Sequence, residues 1–272
     1  MAKINDQSYL LNEQYKDATQ LDARVQLHLL FSTNQQGWQR WCFDHYALPA
    51  APAYGKARVL EIGCGPAHLW TTNRDRIPPG WQITLSDFSG GMLAQAKQNL
   101  NGASQFEFEL ADAQAIPFEA DTFDAVIANH MLYHVPDRPK ALAEMRRVLK
   151  PDGKVYLAAN GLSHLRELYE LEQRFDPTID FGWSHQAHDF FSLDKGGAEV
   201  TQFFQDVHVT RYEDALNVTQ AAPLVDYILS MATAAPLRAR RAELQQFIAN
   251  ELNRQGVIHI SKEAGMFIGT KS

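Results

Sequence analysis

The chain has 272 residues, of which 45% are hydrophobic and 21% charged, enough for one large α/β domain or one domain with a substantial insertion. This composition excludes a chain disordered along its whole length. A formal charge of −7 argues against a general nucleic-acid or membrane-surface binder, and no apolar run approaches the length needed to span a bilayer. The two cysteines, Cys42 and Cys64, make neither a disulfide framework nor a metal-type pair, which fits a reducing compartment. The polar start, MAKINDQSYLLNEQYKDATQ, lacks the apolar core of a secretion signal, so the expected location is the cytoplasm.

Residues 1–54 have helical character. LDARVQLHLLF sets Leu21, Val25, Leu27, Leu29 and Leu30 near helical spacing, and the aromatic-rich GWQRWCFDHYAL follows. This segment is expected to form a helical cap, joined by the linker PAAPAYGKA to a domain covering 55–272. From residue 58 short apolar strands alternate with amphipathic helices, the pattern of a parallel sheet with crossover helices. Strands are predicted at 58–62, 82–86, 106–110, 123–128 and 154–160, with helices near 66–74, 90–100, 128–135 and 138–150. In the last helix Leu142, Met145, Val148 and Leu149 share a face and KPDG stops it. Beyond residue 160 the regularity weakens. A helix over 164–175, an aromatic-rich irregular stretch over 175–191, a strand near 207–212, helices over 222–234 and 236–254, and a closing strand over 265–271 are expected. Substrate-side helical insertions then fall at about 162–205 and 213–262.

The chemistry begins at RVLEIGCGPAHLW, residues 58–70, where a strand enters a glycine-rich turn ahead of a helix. Such a turn aims backbone N–H groups at a ligand. A nicotinamide-dinucleotide turn needs a third glycine where His68 stands, and a P-loop needs a Gly-Lys-Ser/Thr ending that is absent. The pattern Glu61, Gly63, Gly65, Ala67 instead places an acid at the strand end. A carboxylate there repels a pyrophosphate but suits an ammonium- or sulfonium-bearing ligand. Asp87, closing the second strand in LSDFSGGML, can accept both hydroxyls of a ribose.

At these residues the chain resembles the class I S-adenosylmethionine-dependent methyltransferases, most closely the small-molecule group related to the ubiquinone/menaquinone-biosynthesis enzymes. LADAQAIPFEADTFDAVIANHMLYHV and RVLKPDGKVYLAANG extend the resemblance over about residues 55–161. It implies a doubly wound, Rossmann-like, seven-stranded sheet of order 3-2-1-4-5-7-6 with strand 7 antiparallel. It implies S-adenosylmethionine as cofactor, S-adenosylhomocysteine as product and a small-molecule methyl acceptor. The implied cofactor set is Glu61, Gly63, Cys64, Gly65, Asp87, Phe88, Met92, Ala111, Asp112, Ala113 and Asn129. Within it Asp112 meets the adenine amino group, the Ala113 backbone a ring nitrogen, and Asn129 the amino-acid end beside the transferable methyl. The departure is Ala67, where the family has glycine, an added methyl at a helix start.

His130, Tyr133 and His134 beside the methyl position are the catalytic candidates, a neutral imidazole being suited to orienting an acceptor or removing its proton. Packing and local hydrogen bonding are the competing roles. His185 and His188 form an HxxH pair without a third ligand, so no metal is expected. Phe181, Trp183, Phe190 and Phe191 fit an apolar pocket wall or lid. Trp38 and Trp41 suit either a cover over the cofactor or core packing. The basic run LRARRAEL, 237–244, reads as a solvated face, with capture of an anionic group as the minor alternative. Neither nucleic acid nor membrane insertion is expected, and a monomer and a homodimer stand equally open. The rival functions are a binding protein that holds the cofactor without turnover and a nicotinamide-dependent oxidoreductase.

Overall fold

The protein is described here from a computed structural model, which covers residues 6–10, 19–47, 57–178, 190–231 and 234–272. Seven strands form one sheet: β1 Ala57–Ile62, β2 Trp81–Asp87, β3 Phe106–Leu110, β4 Phe123–Asn129, β5 Leu149–Asn160, β6 Gln205–Val218 and β7 Ile258–Thr270. Their spatial order is 3-2-1-4-5-7-6. The first five run parallel and β7 is antiparallel to both β5 and β6, as expected from the sequence.

The central strands are apolar on both faces because helices cover both. Leu60, Ile62, Val126, Ala128, Val155 and Leu157 point to one side, where they meet the buried stripe Leu142, Met145 and Val148 of a crossover helix. Val59, Ala125, Ile127 and Tyr156, the alternate residues, point to the other side against Trp70, Leu93 and Ala96. A period-two split of one continuous apolar run is what a sheet sandwiched between helices requires.

The helices are α1 Thr19–Phe31, α2 Trp38–His45, α3 His68–Thr72, α4 Gly90–Asn99, α5 Arg138–Val148, α6 Arg166–Phe175, α7 Gly196–Val200, α8 Ala221–Leu229, α9 Ala235–Arg238 and α10 Arg241–Gln255. The start of α4 is capped by the Ser89 hydroxyl, which accepts from the Met92 N–H, and that of α5 by Asp137, which accepts from the Lys140 N–H.

Several expectations are corrected. Strand β5 opens at Leu149 rather than at 154, within the range expected for the preceding helix, and the helix expected over 236–254 is divided into α9 and α10. The helix predicted over 128–135 is a single 3-10 turn at Leu132–His134. Strand β4 runs through Asn129, and the next residue, His130, takes a left-handed φ of 52° while its N–H bonds to the Ala158 carbonyl, so no helix can start there. Strands β6 and β7 are also longer than predicted. They pair from Gln205 with Thr270 to Val218 with Ile258, whereas β5 borders β7 only as far as Asn160 with Ala264. The remaining length forms a two-stranded arm. Its apolar residues Leu216, Val218, Ile258 and Ile260 pack with α1, α6, α8 and α10 into a third core cluster. The arm thereby hangs a helical layer over the carboxyl end of the sheet.

Candidate functional site

Where β1 ends, the chain turns through Gly63 and Gly65, both with left-handed φ angles of 70° and 54°. A Cβ at Gly63 would lie 2.9 Å from the Met131 side chain, so this position accepts glycine alone without a shift. Ala67, at the third glycine position of the motif, also takes a left-handed conformation (φ 64°) as the residue preceding α3. The departure from the motif is therefore more than an added methyl. The backbone keeps the glycine conformation and the alanine bears it, at a cost of roughly 1–2 kcal/mol. Helix α3 opens at His68, so Pro66, the first residue of the helix expected near 66–74, lies outside it.

The acids hold this turn. Asp87 accepts from the Gly65 N–H at 2.8 Å through one oxygen and from the Ser89 N–H at 2.8 Å through the other, tying the first turn to the second. Burial raises the Asp87 carboxyl above its ordinary range, against these N–H donors, which lower it. Glu61 is almost fully buried. Its carboxyl accepts from Trp70 Nε1 at 2.6 Å and, more weakly, from Asn129 Nδ2 at 3.4 Å. Burial pushes its pKa up to about 8. Asn129 also donates to the Tyr46 hydroxyl at 3.0 Å, and its Oδ1 is buried with no partner. Asp112 closes a turn on the Gln114 N–H at 2.9 Å and is reached by Gln7 Nε2 at 3.5 Å.

All the cofactor candidates, Glu61 through Asn129, line one cavity of about 540 Å³, and His130, Tyr133 and His134 line it too. One cavity thus gathers the cofactor set and the three catalytic candidates, whereas Phe191, expected at a pocket wall or lid, is buried in the core. His130 and His134 do not share a helix face, however. His130 lies 4.9 Å, ring to ring, from Trp38, and burial together with the positive Lys262 lowers its pKa to about 4. It is a weak base. Tyr133 stacks on Phe190 with centroids 4.9 Å apart, making an aromatic wall. Trp38 lines the cavity, whereas Trp41, stacked on it at 5.1 Å, is buried in the core.

Phe181, Trp183, His185 and His188 lie outside the described residues. The basic run is spent on neighbours: Arg240 pairs with Asp176 and Glu243, and Arg241 with Asp226. Sequence reasoning missed Trp70 and Tyr46, which hold Glu61 and Asn129. It also missed His28, His164 and Lys262, which line the cavity from α1, from the turn after β5 and from β7. No local pattern marks these three, since only the packing of α1 and the β6–β7 pairing brings them together.

Comparison with known proteins agrees with this geometry. Residues 60–157 match the family described as methyltransferase domain. The demethylmenaquinone methyltransferase of Lactobacillus johnsonii is 28% identical over 177 residues, a match covering 62% of this chain and 66% of that protein. The ubiquinone/menaquinone biosynthesis C-methyltransferase UbiE of Geobacter sulfurreducens is 37% identical over 103 residues, covering 37% of this chain and 40% of that one. These matches span under two thirds of either relative. Among solved structures, a Haemonchus contortus phosphoethanolamine N-methyltransferase 2 in complex with S-adenosyl-L-methionine shares the fold. Its TM-score is 0.59 at 18% identity, with all of this chain and 60% of that one covered.

Proposed function

We propose that this chain, a member of the methyltransferase domain family through residues 60–157, transfers a methyl group from S-adenosylmethionine to a small-molecule acceptor. The observation that carries the proposal is the joint placement of Glu61, Asp87, Asp112 and the glycine turn on one cavity at the carboxyl ends of β1, β2 and β3, with Asn129 of β4 beside them. That is the switch point of a doubly wound sheet, where such folds bind ligands. The cavity fits the cofactor's chemistry. Asn129 Oδ1, buried without a partner, and the Glu61 carboxyl are acceptors suited to an ammonium group. Asp87 is a cavity-lining carboxylate suited to accept from a ribose hydroxyl, and Asp112 and the Ala113 backbone suit an adenine edge.

When bound, the cofactor supplies a methyl group already made electrophilic by its sulfonium. The protein's task is then alignment and exclusion of water. Gly63 and Gly65 bring backbone close to the ligand. Asp87 fixes both turns. Trp38 and Tyr133, the latter backed by Phe190, line the cavity with aromatic surface. His134 is the candidate to orient the acceptor, since His130 is held neutral and weakly basic.

Calorimetric titration with S-adenosylhomocysteine tests the reading. Saturable binding is expected, weakened at least about tenfold in Asp87→Ala by loss of charge-assisted hydrogen bonds. Absent binding in the wild type, or unchanged affinity in the variant, overturns it. Release of labelled methyl from S-adenosylmethionine onto a panel of small acceptors then separates turnover from binding alone.

A further inference from the structure

The cavity has two chemically opposite walls. Its carboxylates, Glu61, Asp87 and Asp112, all lie on the glycine-turn side. The other wall carries His28 from α1, His130 after β4, His164 after β5 and Lys262 from β7, with Asn160 and Arg24 beside them. Among the described residues no carboxylate lines that wall.

Two of the polar groups there are donors, the Lys262 ammonium and the His164 ring. Lys262 is an ion-pair partner of Asp214 across the β6–β7 arm, and its ammonium lies 5.4 Å over the Tyr212 ring. Asp214 is not a cavity residue. It is occupied by Ser32 Oγ, by Thr33 Oγ1 at 3.2 Å and by the Asn34 N–H at 2.9 Å, so its role is to pin the end of α1 to the arm. An ammonium has three N–H donors, and one carboxylate does not use them all. His164 accepts the Glu263 N–H at Nδ1 (3.1 Å), which puts the proton of its neutral ring on Nε2 as a donor. His28 touches the Tyr227 ring edge-on at 5.9 Å, and its Nδ1 is buried without any partner.

We propose that this wall is the acceptor subsite and that it receives a small molecule anchored by an oxyanion, a carboxylate or a phosphate ester. The proposal rests on the methyl-transfer reading for the word acceptor, but not for the chemistry of the wall. The Lys262 ammonium, with donors left beyond Asp214, and the His164 Nε2–H suit a ligand that brings acceptor oxygens, which an oxyanion does through charge-assisted hydrogen bonds. The state of the rings agrees. Burial, with Lys262 adding to it, lowers His28 to about 3 and His164 well below its ordinary value, so both are neutral before any ligand arrives. An anion beside them opposes that field and turns neutral rings into stronger donors. Because His130 directly follows Asn129, an oxyanion held here leaves the body of the molecule next to the cofactor's amino-acid end.

The test uses the full chain, by calorimetry, with benzoate, phenyl phosphate and the neutral benzyl alcohol, each with and without saturating S-adenosylhomocysteine. Benzoate or phenyl phosphate is expected to bind at least about tenfold more tightly than benzyl alcohol, the tighter of the two naming the anchoring group. His28→Phe keeps the ring edge against Tyr227, and His164→Gln keeps an acceptor for the Glu263 N–H. Each is expected to remove most of that preference while leaving S-adenosylhomocysteine affinity unchanged. Benzyl alcohol binding as tightly as the anions, or an anion preference untouched in both variants, overturns the subsite. A wild type that binds the anions but not S-adenosylhomocysteine counts against methyl transfer instead.

Discussion

Glu61 sets the residue scale, because one carboxyl serves the ligand at the expense of the empty protein. Its pKa of about 8 in the folded state, raised by burial, lies above its ordinary value near 4.5. The stability this group contributes is complete below about pH 4.5, is lost as the pH rises through 8, and is constant beyond. Glu61→Gln is therefore expected to flatten the fall in thermal midpoint between pH 6 and 9, by about 3 °C or more. The same variant weakens S-adenosylhomocysteine, whose ammonium is suited to an ionised Glu61. Melting curves across pH, with and without ligand, check both halves, and a parallel fall in wild type and variant sinks the argument. Ala67 makes a second case. In regular helix, as at the buried Ala96 of α4, Ala→Gly costs about 1 kcal/mol in propensity as well as the lost methyl. At Ala67 relief of the left-handed strain offsets that loss. Ala67→Gly is expected to stay within about 1 kcal/mol of wild type in denaturant titration, and Ala67→Val to cost about 2 kcal/mol or more.

At the scale of elements, the parts legible in the sequence are those that local chemistry decides. Strands β1 to β5 announce themselves as short apolar runs and α5 by its Leu142, Met145, Val148 stripe, and the sheet order followed from the motif resemblance. The misjudged helix after β4 turned on His130, whose left-handed φ is held by a hydrogen bond to Ala158 on the neighbouring strand, information no local window contains. The β6–β7 arm was half seen for the same reason. Its outer pairs, such as Asp214 with Lys262, are polar in sequence and pair only in three dimensions. Strand β7, where it is still flanked by β5 and β6, is sensitive to a single methyl. At Gly265 a Cβ would sit 2.4 Å from the Thr210 carbonyl oxygen of β6, a backbone atom that cannot move aside. Gly265→Ala is expected to cost about 3 kcal/mol or more, through overpacking and loss of the register. In α7, a Cβ at Gly197 would meet Phe267 at an ordinary 3.6 Å, and Gly197→Ala is expected to be neutral or stabilising. Urea midpoints of the pair decide between close approach and a general intolerance of change near β7.

For the whole molecule, the question is how a helical layer far from the sheet in sequence comes to be linked to the ligand. Helix α1 is the bridge. It packs on α8 at the cavity edge, where His28 meets Tyr227 and Arg24 donates to the Ser230 hydroxyl at 3.3 Å. Its end is pinned by Asp214 of the arm. On its inner side Leu21, Arg24, Val25 and His28 face the cavity. Leu21 lies near the Gly65 turn, and Asp22 stands 3.6 Å from His68 at the start of α3. The helix thus touches both the turn that meets the cofactor and the wall proposed for the acceptor. A ligand filling the cavity adds contacts to α1 that the empty protein lacks, and those contacts stabilise only the closed arrangement. Amide hydrogen exchange across residues 22–31 is accordingly expected to slow at least about tenfold when S-adenosylhomocysteine saturates the protein, since openings of such a segment carry a free energy below that of global unfolding. Exchange in β1 and β4, both largely buried, is expected to change far less. Severing the pin with Asp214→Asn should raise exchange of α1 in the free protein while leaving that of β1 and β4 in place. If saturation with S-adenosylhomocysteine protects the glycine turn but leaves α1 exchanging as before, the helical layer is a fixed wall and takes no part in binding.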